Sequence, residues 1–473
     1  MKLVWFRTDL RAVDNTALNA ALGSEGPVVA LFIATPAQWQ YHSKSPMQAD
    51  LIYRRLIRLQ RELDQINIPL LYEEVDSFSD VPYVFGSLLK VLRFNSVYLN
   101  IEYEFDEKQR DRQLRVFLSR LNISVLEYHD KCLLKPGEVL NKRGEFFRVF
   151  TPFKSACLRL ISVPKIVVTP KALRVVLEDR VKQWLFSESR PFSSPRTDSS
   201  SWRVGFWDIR KILRDFCKNK LSGYDKRRDY PAMEGTSKLS PYLAIGALSA
   251  RQCLARVHAS FLDPLTEGTS IWISELIWRE FFQHLIYFRP DLCCGMSFHS
   301  WAKNISWRSS NWCYERWTLG QTGYPIVDAA MRQLNSEGWI HNRLRMIAAS
   351  FLVKDLHVDW RRGETYFMSK LIDGNYPANN GGWQWCASTG CDGQPYFQIF
   401  NPVSQGQRFD SIGRFVRHWV PELNPVPDVF THEPWKWEDI EKLPYTKPLI
   451  NHSKEREVTL EIYKSAKKSK CNS

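Results

Sequence analysis

Five short runs of apolar and β-branched residues, at 3–6, 28–33, 70–74, 96–100 and 123–127, punctuate the first 130 positions. Between them apolar positions recur at helical spacing, most clearly over 47–65 and 107–121. Strands alternating with helices return each strand parallel to the last. The pattern therefore predicts a doubly wound α/β domain with a parallel sheet over residues 1–130. Ligands of such sheets gather at the carboxyl ends of the strands. His42, Asp106 and Glu107 follow strands or their loops and are candidates to line that crevice. Neither GxGxxG nor GxxxxGK[ST] occurs, so a standard dinucleotide or nucleoside-triphosphate site is not supported there.

Residues 160–203 lose the pattern and end in SESRPFSSPRTDSSS, which reads as a linker; the interdomain segment is assigned to 131–202. Beyond it the spacing is helical almost throughout, at 206–218, 270–287, 326–337, 340–355 and 363–372. Ser240 followed by Pro241 predicts a further helix with the serine as its N-cap. Residues 203–473 are thus expected to form an all-α domain. Tryptophan supports the boundary, since 15 of the 18 lie after residue 200.

Composition refines this picture only slightly. At 44% hydrophobic and 25% charged the chain is ordinary for a globular protein, and its 473 residues favour more than one core. The net charge of +14 points to a polyanionic partner such as DNA, RNA or acidic lipid. Residues 1–200 hold 29 basic and 23 acidic side chains, so the charge is spread and locates no site. The ten cysteines include no CxxC pair and no Cys/His zinc spacing; free thiols in a reducing cytosol are expected, and no metal. The longest apolar run, 28–34, is too short to span a bilayer. The basic tail KSAKKSK at 464–470 reads as a solvated, frayed end.

Chemistry concentrates in three stretches. DGNYPANNGGWQW at 373–385 combines an acid, paired asparagines, paired glycines and two tryptophans. Its glycines let a flat ring or a second backbone come close, and its amides offer uncharged donors and acceptors. WIHNRLRM at 339–346 places Asn342, Arg343 and Met346 on neighbouring turns of one helix. GTSKLS at 235–240 sets hydroxyls and free N–H groups before a helix, the makings of an anion site. Each alone also reads blandly, as a glycine loop beside a buried aromatic cluster or as a cap.

The first two of these stretches, with WISELIWR at 272–279, LVWFRTDLR at 3–11, TGYPIVDAAMRQL at 322–334 and ANNGGWQWCASTGCDGQPYFQIFNP at 378–402, resemble the photolyase/cryptochrome flavoproteins. The branch most resembled is the bacterial class I cyclobutane pyrimidine dimer photolyases. The resemblance implies FAD in the helical domain. Its diphosphate would lie on Thr236, Ser237, Lys238, Leu239 and Ser240, with Tyr224 upstream and Trp272 packed nearby. The isoalloxazine would lie against Asn342, Arg345, Asp373, Gly374, Asn375 and Asn379. Asn375 stands where the bacterial enzymes commonly have Asp; its carbonyl would still accept the flavin ring N–H. Asn379 stands where plant cryptochromes have Asp, and an amide suits the reduced anionic flavin that repair needs. Six-four photolyases carry histidines in place of Asn342 and Met346, so the implied substrate is the cyclobutane dimer.

The resemblance further implies that Glu275 bonds a thymine carbonyl, with Trp278 and Trp385 as flat walls and Asn342 and Met346 beside the dimer. The bland alternative for Glu275 is an ion pair with Arg279. Arg228, Arg279, Arg343 and Gln405 would hold the DNA backbone. Trp383, Trp360 and Trp307 match an electron wire from the surface. An antenna pigment, often methenyltetrahydrofolate, is expected at His42, Asp106 and Glu107, although Asp106 replaces an asparagine and Cys294 replaces a lysine. The expected protein is a monomeric, cytoplasmic photolyase acting on UV-damaged DNA by light-driven electron transfer. A blue-light receptor of the cryptochrome kind is the alternative.

Overall fold

A computed structural model of the chain describes residues 1–260 and 266–468. Its first element is a five-stranded parallel sheet of β1 (Lys2–Phe6), β2 (Val28–Ala34), β3 (Leu70–Glu74), β4 (Ser96–Asn100) and β5 (Ser124–Tyr128). The strand order is β3-β2-β1-β4-β5. All five predicted strands are present, with ends within one residue. Side chains alternate between faces. Val4 and Phe6 join the core under the Pro46–Asp64 helix, whereas Leu3 and Trp5 pack with Leu114 and Leu118 of the Phe105–Ser119 helix. The chain winds outward from β1 on one side and restarts at β4 on the other, so a crevice opens between the carboxyl ends of β1 and β4.

The segment between the halves is not a free tether. Phe150–Leu160 is a helix whose Phe150, Phe153, Ala156 and Cys157 are buried. Beyond it the backbone of Trp184 and Phe186 bonds the outer edge of β3, at 2.7 and 2.9 Å, and covers it. Between these anchors the chain runs over the surface, with Val168 and Val176 largely exposed, which explains the missing periodicity. Gly246, at φ +66°, lies so close to Thr8 and Asp9 that a Cβ would fall 2.2 Å from the Thr8 carbonyl. Beside it Asp130 takes both the buried Arg11 and the partly buried Arg251 at 2.7 Å, and these two guanidinium groups hold its carboxyl well below the usual range.

The helical half follows its periodicity at Phe206–Asn219, Glu267–Phe288, Pro325–Glu337 and Trp360–Lys370. Three expectations are corrected. Ser240 is not a cap: Leu239 occupies that position, the helix is only Ser240–Ala244, and the serine hydroxyl instead accepts from the Trp339 indole at 3.3 Å. The helix expected over 340–355 starts at Asn342, capped by the His341 ring, and passes into a π-helix at Phe351–Asp355. The double-glycine stretch is itself helical over Tyr376–Cys386. There a Cβ on Gly381 would sit 2.1 Å from the Phe282 ring, so tertiary packing outweighs the low helix propensity of glycine. At the far end Lys464–Lys468 continues the last helix, His452–Lys468, and Lys467 lies over Trp301 and Tyr396 instead of fraying. The rest of the basic tail lies outside the described residues.

Candidate active site

A cavity of about 360 Å³ opens in the helical half. One wall is Thr236–Ser240, a second the Glu267–Phe288 helix through Trp272, Glu275, Trp278 and Arg279. A third is formed by Asn342, Arg345 and Met346, and the floor by Asp373, Asn375, Asn379, Gly382 and Trp383; Tyr224 closes one end. Most of the expected residues therefore converge. Gly374 does not: its carbonyl accepts from Gln48 at 2.8 Å and it faces the neighbouring cavity. Arg228, Arg343, Trp385, Gln405, Trp360 and Trp307 lie outside the lining.

The floor is fixed by a few bonds. Asp373 pairs with Arg345 at 2.7 Å through Oδ2, while its buried Oδ1 has no partner in the chain. Asn379 donates to the Glu364 carbonyl at 3.0 Å, which commits the amide nitrogen and leaves the carbonyl oxygen as the free acceptor. Gly382 turns open space toward the cavity: a Cβ added there would meet nothing within 4 Å. The Asn375 oxygen expected to face the ligand is instead engaged. It caps the Tyr376–Cys386 helix through Ala378 and accepts from Gln283, both at 3.4 Å. In the Thr236–Ser240 wall, Lys238 adopts φ +50°. This wall is an irregular loop before a five-residue helix, in place of the expected capped helix start.

The rim carries charge. Glu275 pairs with Arg228 at 2.6 Å, not with Arg279. Arg279 turns inward and donates to the Lys131 carbonyl at 2.5 Å. Asp229 joins Arg343, at 2.9 Å, to Arg228, at 3.8 Å. Arg343 also lies over Phe409, near the helix that holds Gln405. Trp278 stacks on Phe150 with centroids 3.6 Å apart and planes 6° apart. The sequence reading missed Asp229, Gln283 and Phe150. Asp229 adjoins Arg228 in RRD, a local signal that charge alone does not make distinctive.

Glu364 supports the floor from below. Its carbonyl receives Asn379, and its buried carboxylate accepts from Asn380 at 2.8 Å. Burial pushes this carboxyl up to about 7. A carboxyl raised in the folded state contributes stability below its unfolded pKa, and this is lost as pH rises through about 7. Glu364→Gln is therefore expected to be near neutral at acid pH and to gain on the wild type above pH 7, by about 3 kcal/mol at most. Thermal melting across pH 5 to 8 measures this; parallel curves for the two proteins would contradict it.

A second cavity, of about 390 Å³, occupies the crevice at the strand ends and shares Ala244 and Asn375 with the first. His42 meets Asp106 at 2.9 Å and Glu107 at 3.7 Å there. Burial, followed by the charges of Glu104 and Glu102, pushes Glu107 up to about 8. Cys294 is exposed and does not line this cavity.

Two family models match the chain: "DNA photolyase" over residues 2–171 and "FAD binding domain of DNA photolyase" over 272–465. The deoxyribodipyrimidine photo-lyase of Vibrio cholerae is 53% identical over 99% of this chain and 100% of its own length. The chain belongs to the DNA photolyase family. A class III photolyase of Agrobacterium tumefaciens superposes with a TM-score of 0.87 at 33% identity, covering 99% of this chain and 98% of the other. A cryptochrome of Synechocystis superposes with 0.85 at 28% identity, covering 98% and 99%. The photolyase fold thus hosts both kinds of protein at nearly equal likeness, and side chains must decide between them. In this photolyase-family chain the cavity fits FAD. It has an unpartnered buried carboxylate oxygen beside an arginine, a free amide acceptor, and a glycine face where a flat ring can approach.

Proposed function

We infer that the protein is a deoxyribodipyrimidine photo-lyase, an FAD enzyme that splits cyclobutane pyrimidine dimers in UV-damaged DNA with light. The observation that carries this reading is the uncharged Asn379 amide on the floor of a cavity whose rim bears Glu275, Arg228 and Trp278. An acid at that position would point to a receptor; an amide does not give up a proton. When bound, reduced FAD supplies the photoexcited electron that opens the cyclobutane ring and receives it back.

The chain's own residues bind, orient and exclude water. Asp373 and Arg345 hold the ring system by a charge-assisted pair with one acceptor to spare. Asn379 presents a fixed acceptor, because its nitrogen is committed to Glu364. Trp278 offers the dimer a flat wall, its other face already backed by Phe150. Glu275, ion-paired with Arg228 and therefore an acceptor, would take a thymine ring N–H, and the Arg228 guanidinium beside it would offset the negative charge that appears on the carbonyl. Arg343, oriented by Asp229, would meet flanking phosphate, as would Gln405 and those Arg279 donors not given to the Lys131 carbonyl. Met346 supplies an adaptable contact.

For the electron wire, the first two tryptophans are buried and only the last reaches toward the surface. Trp383 lines the cavity, Trp360 is wholly buried and Trp307 is half-buried near the surface. Among the described ring contacts Trp383 touches Trp317 and Phe367, so the proposed steps to Trp360 and Trp307 are hops between separated rings. Trp307→Phe is expected to block photoreduction of oxidised flavin and to leave repair by chemically reduced enzyme nearly intact. Collapse of both activities would assign Trp307 a packing role. For the strand-end cavity we propose an antenna pigment of the methenyltetrahydrofolate class, held by His42 and Glu107. The same reading makes the protein a monomeric enzyme of the cytoplasm. No helix among the described residues is long and apolar enough to cross a membrane.

The decisive experiment is light-dependent turnover of a dimer-containing oligonucleotide, scored by the return of pyrimidine absorbance. No repair in light by flavin-loaded, reduced protein would overturn the reading in favour of a receptor.

A further inference from the structure

Cys132, Glu280 and His284 meet where the two halves join. Cys132 follows β5 in the segment that leaves the sheet. Glu280 and His284 are one turn apart on the Glu267–Phe288 helix, beyond Glu275 and Trp278. One donor atom from each lies within 4.8 Å of the others, and all three side chains are buried. No local spacing announces them, because the thiol and the helix are far apart in sequence.

The hydrogen bonding of this cluster is half finished. His284 Nε2 donates to the Leu134 carbonyl at 3.0 Å, so that nitrogen carries the ring proton. His284 Nδ1 is then a bare lone pair, and it is buried without a partner. Glu280 Oε2 accepts from Leu133 and Leu134 at 2.7 and 3.4 Å, and the carboxylate also takes the Cys132 thiol proton, which leaves its buried Oε1 with no N–H or O–H donor. The nearest cation to Oε1 is the Arg279 guanidinium at 3.7 Å, whose Nη1 is already given to Lys131. Buried acceptors in this state cost free energy that a hydrogen-bond donor or a cation recovers.

We infer that Cys132, Glu280 and His284 bind one zinc-type divalent cation, which ties the chain leaving the sheet to the helix that carries Glu275 and Trp278. A thiolate, an imidazole and a carboxylate form the mixed sulfur, nitrogen and oxygen set that suits Zn²⁺; Mg²⁺ and Ca²⁺ favour oxygen alone. Two anionic ligands neutralise the charge, as a buried site requires. The Leu134 carbonyl fixes the ring tautomer in the manner of an outer-shell partner. Binding displaces the Cys132 thiol proton to solvent and leaves a fourth position for water. The site lies outside the flavin cavity and does not depend on the repair reading.

The test uses the full chain with its flavin. Purified protein is loaded with zinc chloride, desalted, and assayed for metal by mass spectrometry and for ligands by X-ray absorption at the zinc edge. The expected result is one zinc per chain with one sulfur neighbour, and a melting temperature that falls when a chelator removes the metal. Cys132→Ala should keep its flavin and lower zinc affinity roughly ten-fold or more. Wild type that retains no zinc overturns the proposal, as does a zinc edge without sulfur. So does retention of zinc by Cys132→Ala equal to that of wild type. If that variant fails to fold, the chelator-dependent melting and the sulfur neighbour in wild type decide.

Discussion

Asp373→Ala is expected to give a folded protein that loses its yellow colour on desalting. The Asp373 side chain is almost completely buried, pairs with Arg345 at 2.7 Å, and points one oxygen at nothing in the chain. Truncation removes that acceptor and strands a guanidinium that Ile340 still holds in place through its carbonyl, at 3.0 Å. Loss of one partner of a desolvated, hydrogen-bonded charge pair costs about 2–5 kcal/mol, so flavin affinity should fall by roughly two orders of magnitude. The ratio of flavin to protein absorbance after gel filtration reads this directly. Asp373→Asn, which keeps an acceptor, should lie between the two. Full flavin retention by the alanine variant would remove the acid–arginine pair from the binding site.

Trp278→Ala should weaken binding to dimer-containing DNA by about 1–3 kcal/mol and leave undamaged DNA almost unaffected, because the loss is one of stacking. The geometry sharpens this expectation. With one face against Phe150 at 3.6 Å, the indole is already held at a fixed angle and spends little entropy on receiving a second ring. Arg343→Ala should behave in the opposite way, weakening both DNAs alike and flattening the salt dependence through lost phosphate neutralisation. Asp229→Ala keeps the Arg343 charge and removes only its orienting partner, so it should affect both DNAs alike without flattening the salt dependence. Binding isotherms on matched damaged and undamaged oligonucleotides at two salt concentrations distinguish these patterns. Equal losses on both DNAs for Trp278→Ala would disprove the stacking wall.

The sheet was legible because each strand is a short apolar run between turn signals, and alternation sorts Leu3 and Trp5 from Val4 and Phe6. Helices with one apolar stripe were equally plain. Those that failed have local sequences that contradict their surroundings. Tyr376–Cys386 contains proline, two asparagines and two glycines, and is helical because Gly381 packs on Phe282. Ser240 looked like a cap until Trp339, distant in sequence, bonded its hydroxyl. The candidate site was legible where residues fall in contiguous motifs, as at 236–240 and 373–383. Its pairings were not. Arg228 and Glu275 are 47 positions apart and Arg343 and Asp229 are 114 apart, separations at which periodicity carries no information.

The stack of Phe150 on Trp278 bears on how such proteins can be recombined. Composition places the seam of the chain near residue 200, and a designer exchanging the sheet domain would cut there. Such a graft would replace Phe150, the Lys131 carbonyl that holds Arg279, and the Leu133 and Leu134 amides that hold Glu280. The recipient helix would keep every residue of its own and lose the scaffold that aims them. A chimera that retains residues 131–160 with the helical half should exchange its sheet domain without damage to substrate selectivity, whereas one joined at 200 should bind flavin yet discriminate poorly between damaged and intact DNA. Inheritance in this architecture is therefore interleaved: part of what fixes Trp278, Arg279 and Glu280 travels with the sheet domain.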